Sequence, residues 1–392
     1  MRSLLLSPLC ALLVSGCVFP SPNEETNEAL ADGSTATQSP LPTTPGTPPE
    51  PGQLATGAGE ENTGIPASDG GLTEPPDDPS EPFTPPSGPC DFDAAQVVDV
   101  ANAGELVQAL AHARPGSMIR LAAGKYTGDF VGTIDGSAAE RIVLCGPNDA
   151  ELSADSNNED SFNLLADHWI LSGFSITGGL RGLVVDGGNF NQFLTLTVAS
   201  IGQEAIHLRS HSSDNLVHSC RIFNTGTQNA GFGEGVYIGS AESNWDRYTG
   251  SANTPDRSDR NQIISNVIGP NVRAEHIDIK EGTQGGVIRG NTFDGKGMSG
   301  DNYADSWIDV KGNDYLIEEN VGTDAIEDGF QTHVVKDIWG HNITFRQNTA
   351  RVNSPGYGIN VSGKSSGVIV GCDNTAEGAA QGLSNLSCAL IP

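Results

Sequence analysis

The chain has 392 residues and carries 49 acidic against 20 basic side chains, a formal charge of −29. A balance that negative disfavours nucleic acid and anionic lipid surfaces, since both would repel it. An enzyme for acidic polymers built on this chain would need a local positive patch or a bound cation.

Residues 1–16 read as an export signal. Arg2 supplies a basic start, and an apolar stretch from Leu4 to Val14 is too short to span a membrane. Val14-Ser15-Gly16-Cys17 resembles the bacterial lipobox. That resemblance implies cleavage before Cys17 and attachment of lipid to it. Val18, in place of Asp, resembles an outer-membrane address. The expectation is an exported protein held at the outer membrane or cell surface, with its N-terminal lipid as the only membrane contact. Residues 17–89 are mostly Pro, Thr, Gly, Ser, Ala and acids, with twelve acidic and no basic side chains. Such a segment cannot bury a core, and its charge extends it into a linker.

Residues 90–392 form the folding part, 303 residues with 19 basic and 37 acidic side chains. That is enough chain for one large core. Its five cysteines, in an exported protein, permit disulfides and leave at least one thiol over. We expect Cys90 with Cys145, Cys372 with Cys388, and Cys220 free.

The apolar spacing predicts an amphipathic helix over residues 104–113, followed by turn, strand and turn over 114–126. Farther on, five-residue stretches alternate strictly. They are 182–186, 205–209, 235–239, 276–280, 307–311, 329–333 and 358–362. In each, the second and fourth residues are nearly all apolar and should point inward, while the third and fifth point out.

A second series of short apolar strands ends in Cys220, Asn266, Asn291, Asn320, Asn348 and Cys372, at intervals of 46, 25, 29, 28 and 24 residues. Those intervals suit the coils of a solenoid with loops of varying length. The four asparagines should stack as an internal ladder with the two cysteines as its ends, and buried Cys220 reads as structural. The fold expected is all-β, a single right-handed parallel β-helix with the early helix capping its open end. The segment from the helix through Tyr126 resembles the opening of pectate-lyase-like β-helix proteins, including polysaccharide lyase family 6.

Stacking places like positions in columns on the outer face. The residue before each stretch gives Arg181, Glu204, Glu234, Glu275, Ser306, Asp328 and Tyr357. Three stacked glutamates need a cation or protons, and carboxylate oxygens suit Ca²⁺, so Glu204, Glu234 and Glu275, with Asp278, are candidate ligands. The fifth positions give Asp186, Arg209, Gly239, Lys280, Lys311, His333 and Ser362, a largely basic column beside the acidic one.

This pairing of charges suits β-elimination of a uronic-acid polymer. Cations stabilise the enolate-like charge while a base removes the C5 proton. Lys280, Lys311 and His333 are the candidate catalytic groups. Arg209, Tyr237, Asp309, Trp307 and, on a long insertion over residues 240–260, Trp245 are candidate substrate contacts. Glu275-His276-Ile277-Asp278-Ile279-Lys280 resembles the family 6 segment in which a calcium-ligating glutamate precedes the lysine base by five residues. The resemblance implies Glu275 as ligand and Lys280 as base. It departs from the family at Arg273, where an acid is usual, and at Lys311-Gly312, where an Arg-His-Gly element is usual.

The partner expected is an acidic polysaccharide met by a monomer. A glycoside hydrolase using Asp278, Asp309 and Asp328, a C5-epimerase, and a non-catalytic carbohydrate-binding or adhesive lipoprotein are the alternatives.

Overall fold

A computed structural model describes Phe83 and residues 85–391. The export signal, Cys17 and nearly all of the linker lie outside the described residues.

Strands short enough to turn every few residues, with apolar side chains on one side, wind into a parallel β-helix. Three parallel sheets of eleven, nine and ten strands form its walls, and each strand pairs with its counterpart one coil earlier and one coil later. The seven alternating stretches form seven consecutive rungs of the nine-stranded sheet. Leu183, Ile206, Val236, Ile277, Ile308, Phe330 and Ile359 stand in one register. Two further rungs precede them, Val131–Gly132 and Phe162–Leu164.

The inward residues fill a continuous core, with Phe293, Trp307, Phe330 and Phe345 packed ring against ring along its downstream half. A helix, α1 (Ala103–Ala111), packs against the first strands and buries Leu106 and Leu110. Asn102 caps it by accepting from the Glu105 amide at 3.0 Å, and Glu105 reaches back to the Ala101 amide at 2.8 Å.

The asparagine ladder forms where the eleven-stranded sheet turns into the ten-stranded one. Each Oδ1 accepts from the backbone amide of its counterpart one coil earlier, at 2.8–3.1 Å from Cys220 through Asn320. Each Nδ2 donates to a strand carbonyl of an earlier coil, as Asn320 does to Ile288 at 2.9 Å. The residue before each ladder position, Ser219, Ser265, Gly290, Glu319 and Gln347, turns the chain with φ between 55° and 64°. Non-glycine residues pay roughly 1–2 kcal/mol in that left-handed region, and the ladder bonds offset it.

Two features differ from expectation. The ladder does not end at Cys372, which is bonded to Cys388; it continues to Asn374, whose Oδ1 takes the Asn348 amide at 2.9 Å. A second ladder, Asn191, Asn215 and Asn261, lines the turn into the eleven-stranded sheet. Cys90 is joined to Cys145, and Cys220 is a buried thiol whose pKa burial pushes up to about 12. Contact with the domain begins before residue 90, because Phe83 packs edge-on against His218 at 5.0 Å.

Replacing Asn320 by Ala would strand the Asn291 amide and the Ile288 carbonyl inside the coil. A loss of roughly 2–5 kcal/mol is expected, at about 1–3 kcal/mol per stranded group, with a smaller loss for Asn374→Ala at the ladder's end. Urea unfolding of the full chain measures both.

Candidate active site

Parallel pairing sets Tyr237, Asp278, Asp309 and Gln331 one above another on the outer face of the nine-stranded sheet. Lys280, Lys311 and His333 follow two residues later, their backbone amides bonded to Ile238, Ile279 and Val310. Acids and bases interleave into a chain of ion pairs. Lys280 Nζ lies 3.0 Å from Asp278 Oδ2, and Lys311 Nζ lies 2.9 Å from Asp278 Oδ1 and 2.7 Å from Asp309 Oδ2. His333 Nδ1 closes the chain at 2.7 Å from Asp309 Oδ1. Lys280 Nζ also sits 5.0 Å from the centre of the Tyr237 ring.

The charges in this chain are not equivalent. Burial works against the Lys311 ammonium, but Asp278 and Asp309 outweigh it and hold the pKa above the ordinary lysine value. Burial likewise opposes ionisation of Asp309, yet Lys311 and His333 keep it well below the carboxylate range. Asp309 raises the His333 imidazole above its usual value. Lys311 is therefore a fixed cation rather than a base. Of the chain's groups, His333 reaches solvent most, its side chain being 48% exposed.

Beside it runs the acidic column, held in register by the Gly182, Ala205 and Gly235 amides bonding Glu204, Glu234 and Glu275 carbonyls. Carboxylate oxygens of Glu234, Glu275 and Asp278 lie within 4.8 Å of one another, close enough to hold a metal ion together. Burial, reinforced by Asp278, lifts Glu275 to about 8. Burial and then Glu204, Glu275 and Asp278 lift Glu234 well above its usual range. Glu234 Oε2 is buried without a hydrogen-bond partner, so a proton or a cation fits there. Asp278 already meets two ammonium groups and offers such a cation the least.

Glu204 departs from the expected ligand set. It turns to His207, whose Nδ1 is 3.6 Å from its Oε1, and stands outside the three-residue group. At its rung the outward neighbour is an imidazole, and burial raises the Glu204 pKa while Arg181 works the other way.

Other expected contacts move more. Trp307 is fully buried in the core. Its ring fills the space left by Gly322 and Gly329, where a Cβ would approach ring atoms to 2.3 and 2.8 Å. Alternation misplaces it because it precedes the strand proper, Ile308–Val310. Trp245 is also buried, its Nε1 donating to the Ser240 carbonyl at 3.1 Å. Arg209 is held by Asp186 at 2.7 and 3.0 Å.

Sequence reading passed over His207 and Tyr303. His207 occupies the outward position paired with Tyr237, and its ring meets that of Tyr237 at 4.6 Å. Tyr303, 83% exposed on the insertion at 295–305, is the aromatic that this loop presents to solvent.

The fold is the parallel β-helix found in polysaccharide lyases, as solved structures show. An alginate lyase from Paenibacillus sp. str. FPU-7 matches with 36% identity and a TM-score of 0.65, over 76% of this chain and 98% of its own. The chain belongs to the family of that alginate lyase. A pectate lyase, Pel9A, matches at 16% identity and TM-score 0.55 over 77% of this chain and 80% of its own. A rhamnogalacturonan lyase matches at 14% identity and TM-score 0.50 over 65% and 70%. These last two show the shared fold. No protein-family model and no curated protein matches the sequence.

A carboxyl raised from 4.5 to about 8 keeps its proton in the folded state while the unfolded chain has lost it. With chelator present, stability should therefore be fullest below about pH 4.5 and fall towards pH 8, by up to about 1.4 kcal/mol per pH unit for each such proton. Glu275→Gln should flatten that fall in pH-resolved urea titrations. A cation occupying the cluster would flatten it in the wild type once Ca²⁺ is added.

Proposed function

We propose that this protein is a polysaccharide lyase that cleaves a uronic-acid polymer of the alginate type by β-elimination. The ion-pair chain that ends in Lys280 beside Tyr237 carries this reading, and the 36% identity to an alginate lyase supports it. Elimination needs one group to take the C5 proton and another to give a proton to the departing O4 as the C4–O4 bond breaks and the C4–C5 double bond forms. Lys280 is the base. It shares Asp278 with Lys311 and lies against the Tyr237 ring. The Tyr237 phenol protonates O4, and the proton then returns from Lys280 to Tyr237 through solvent.

Lys311 and protonated His333 supply fixed positive charge against the carbanion and the uronate carboxylate. Ca²⁺ held by Glu234, Glu275 and Asp278 would add positive charge beneath the same rungs, and none of these steps runs through it.

The hydrolase alternative loses support from the carboxylates themselves. Asp278 and Asp309 are tied to lysines. Asp328 accepts from the Tyr357 amide, Gln331 and Asn360 at 2.6–2.9 Å. None of the three is placed as a protonated acid facing a sugar.

Incubating the chain with alginate, pectate, glucuronan and glycosaminoglycans, and following ultraviolet absorbance of the unsaturated product, tests the reading. Lys280→Ala and Tyr237→Phe should each lower kcat/KM by on the order of 10²–10⁴ while the fold is kept. New reducing ends without absorbance would replace lyase by hydrolase, and binding without cleavage would leave a carbohydrate-binding protein. The same proposal puts the enzyme outside the cell on a lipid at Cys17. Radiolabelled palmitate should enter the wild-type chain and not Cys17→Ser; equal labelling of both would remove the anchor.

A further inference from the structure

The outer face of the nine-stranded sheet is open at one end and covered at the other. Towards the last rungs, the side chain of His333 is half exposed, and Asn360 and Ser362 are partly so. Towards the earlier rungs, the outward positions at 184 and 207 are sealed. Val184 points outward beside His207 and is no member of the interior core, yet it is fully buried.

The cover over these rungs comes from the insertion after Ile238. A short helix there, α2 (Trp245–Thr249), lays Tyr248 across the face. The Tyr248 hydroxyl accepts from Arg209 Nη1 at 3.1 Å, and its ring lies 4.5 Å from that guanidinium and 6.4 Å from the His207 ring. The insertion is fastened at both ends. Lys336, from the loop after His333, pairs with Glu242 at 2.5 Å and lies 5.3 Å from the centre of the Trp245 ring. Asp256 accepts from the Ser210 and His211 amides at 3.0 and 2.8 Å and from Ser240 Oγ at 2.9 Å.

We propose that this insertion walls off one end of the substrate cleft, so that the enzyme cuts close to an end of the polymer rather than within it. The inference rests on β-elimination at Lys280 and Tyr237. Those residues occupy the rungs at 277–279 and 236–238, and the covered rungs begin with the next one, at 206–209. Coils are spaced about 4.8 Å apart, roughly one sugar residue. One sugar, or two at most, therefore fits between the broken bond and the wall. The rest of the polymer runs over the open rungs past Lys311 and His333.

Product absorbance and solution viscosity, followed together on long alginate with the full chain, test this. Absorbance should rise while viscosity falls slowly, and mass spectrometry should show monomers or dimers from the earliest time points. Replacing residues 243–253 by a short Gly-Ser bridge should steepen the viscosity loss per unit of absorbance several-fold and lengthen the first products. Should that variant not fold, the wild-type product profile decides alone. An early collapse of viscosity with long oligomers overturns the wall while keeping the lyase. No absorbance from any uronic polymer overturns the lyase reading, and the wall with it.

Discussion

Parallel pairing at about 4.8 Å leaves each side chain of a β-helix with the same two neighbours, the residues at its own position one coil above and one coil below. Everything else in this protein answers to that constraint. Inside, it stacks apolar residues into a core without gaps and asparagines into ladders in which each amide completes the next. A left-handed turn repeated on successive coils is tolerable because the ladder side chain supplies the hydrogen bonds that the turn leaves open.

Outside, the same stacking would bring like charges together, and the chain resolves this in two ways. Across the rungs of Asp278 and Asp309, lysines from the neighbouring column interleave with the acids, so each charge meets its opposite at 2.7–3.0 Å. In the glutamate column burial and mutual repulsion dominate, and the carboxyls are left to hold protons or a shared cation. The proposed chemistry sits where the two solutions adjoin. Fixed cations there face a sugar carboxylate, while Lys280 and Tyr237 handle the protons.

A rigid wall with variable loops separates the reaction from its mode of attack. The rungs place the reacting groups, and insertions between rungs decide which part of a polymer can reach them. Here the insertion carrying Tyr248 is clamped to the loop carrying Lys336, which makes it a built part of the cleft rather than a loose flap.

Much of this was legible in the sequence because a solenoid converts sequence position into spatial neighbourhood. All seven rungs, their register, the four-asparagine ladder and the convergence of Glu234, Glu275 and Asp278 with Lys280 and Lys311 follow from alternation and spacing alone. Failures came where that rule stops. Trp307 lies just ahead of its strand, and its ring turns into the room left by Gly322 and Gly329, glycines of other rungs. Trp245 and Tyr248 share one insertion, yet one is buried and the other lies over Arg209, a difference set by the loop's own path. Glu204 turns to His207, the imidazole that stands where the later rungs have Tyr237 and Asp278. Repetition by itself determined the walls of the helix and the columns of charge. Only tertiary structure decided which side chains face a sugar, because loops have no register and their packing is settled by distant parts of the chain.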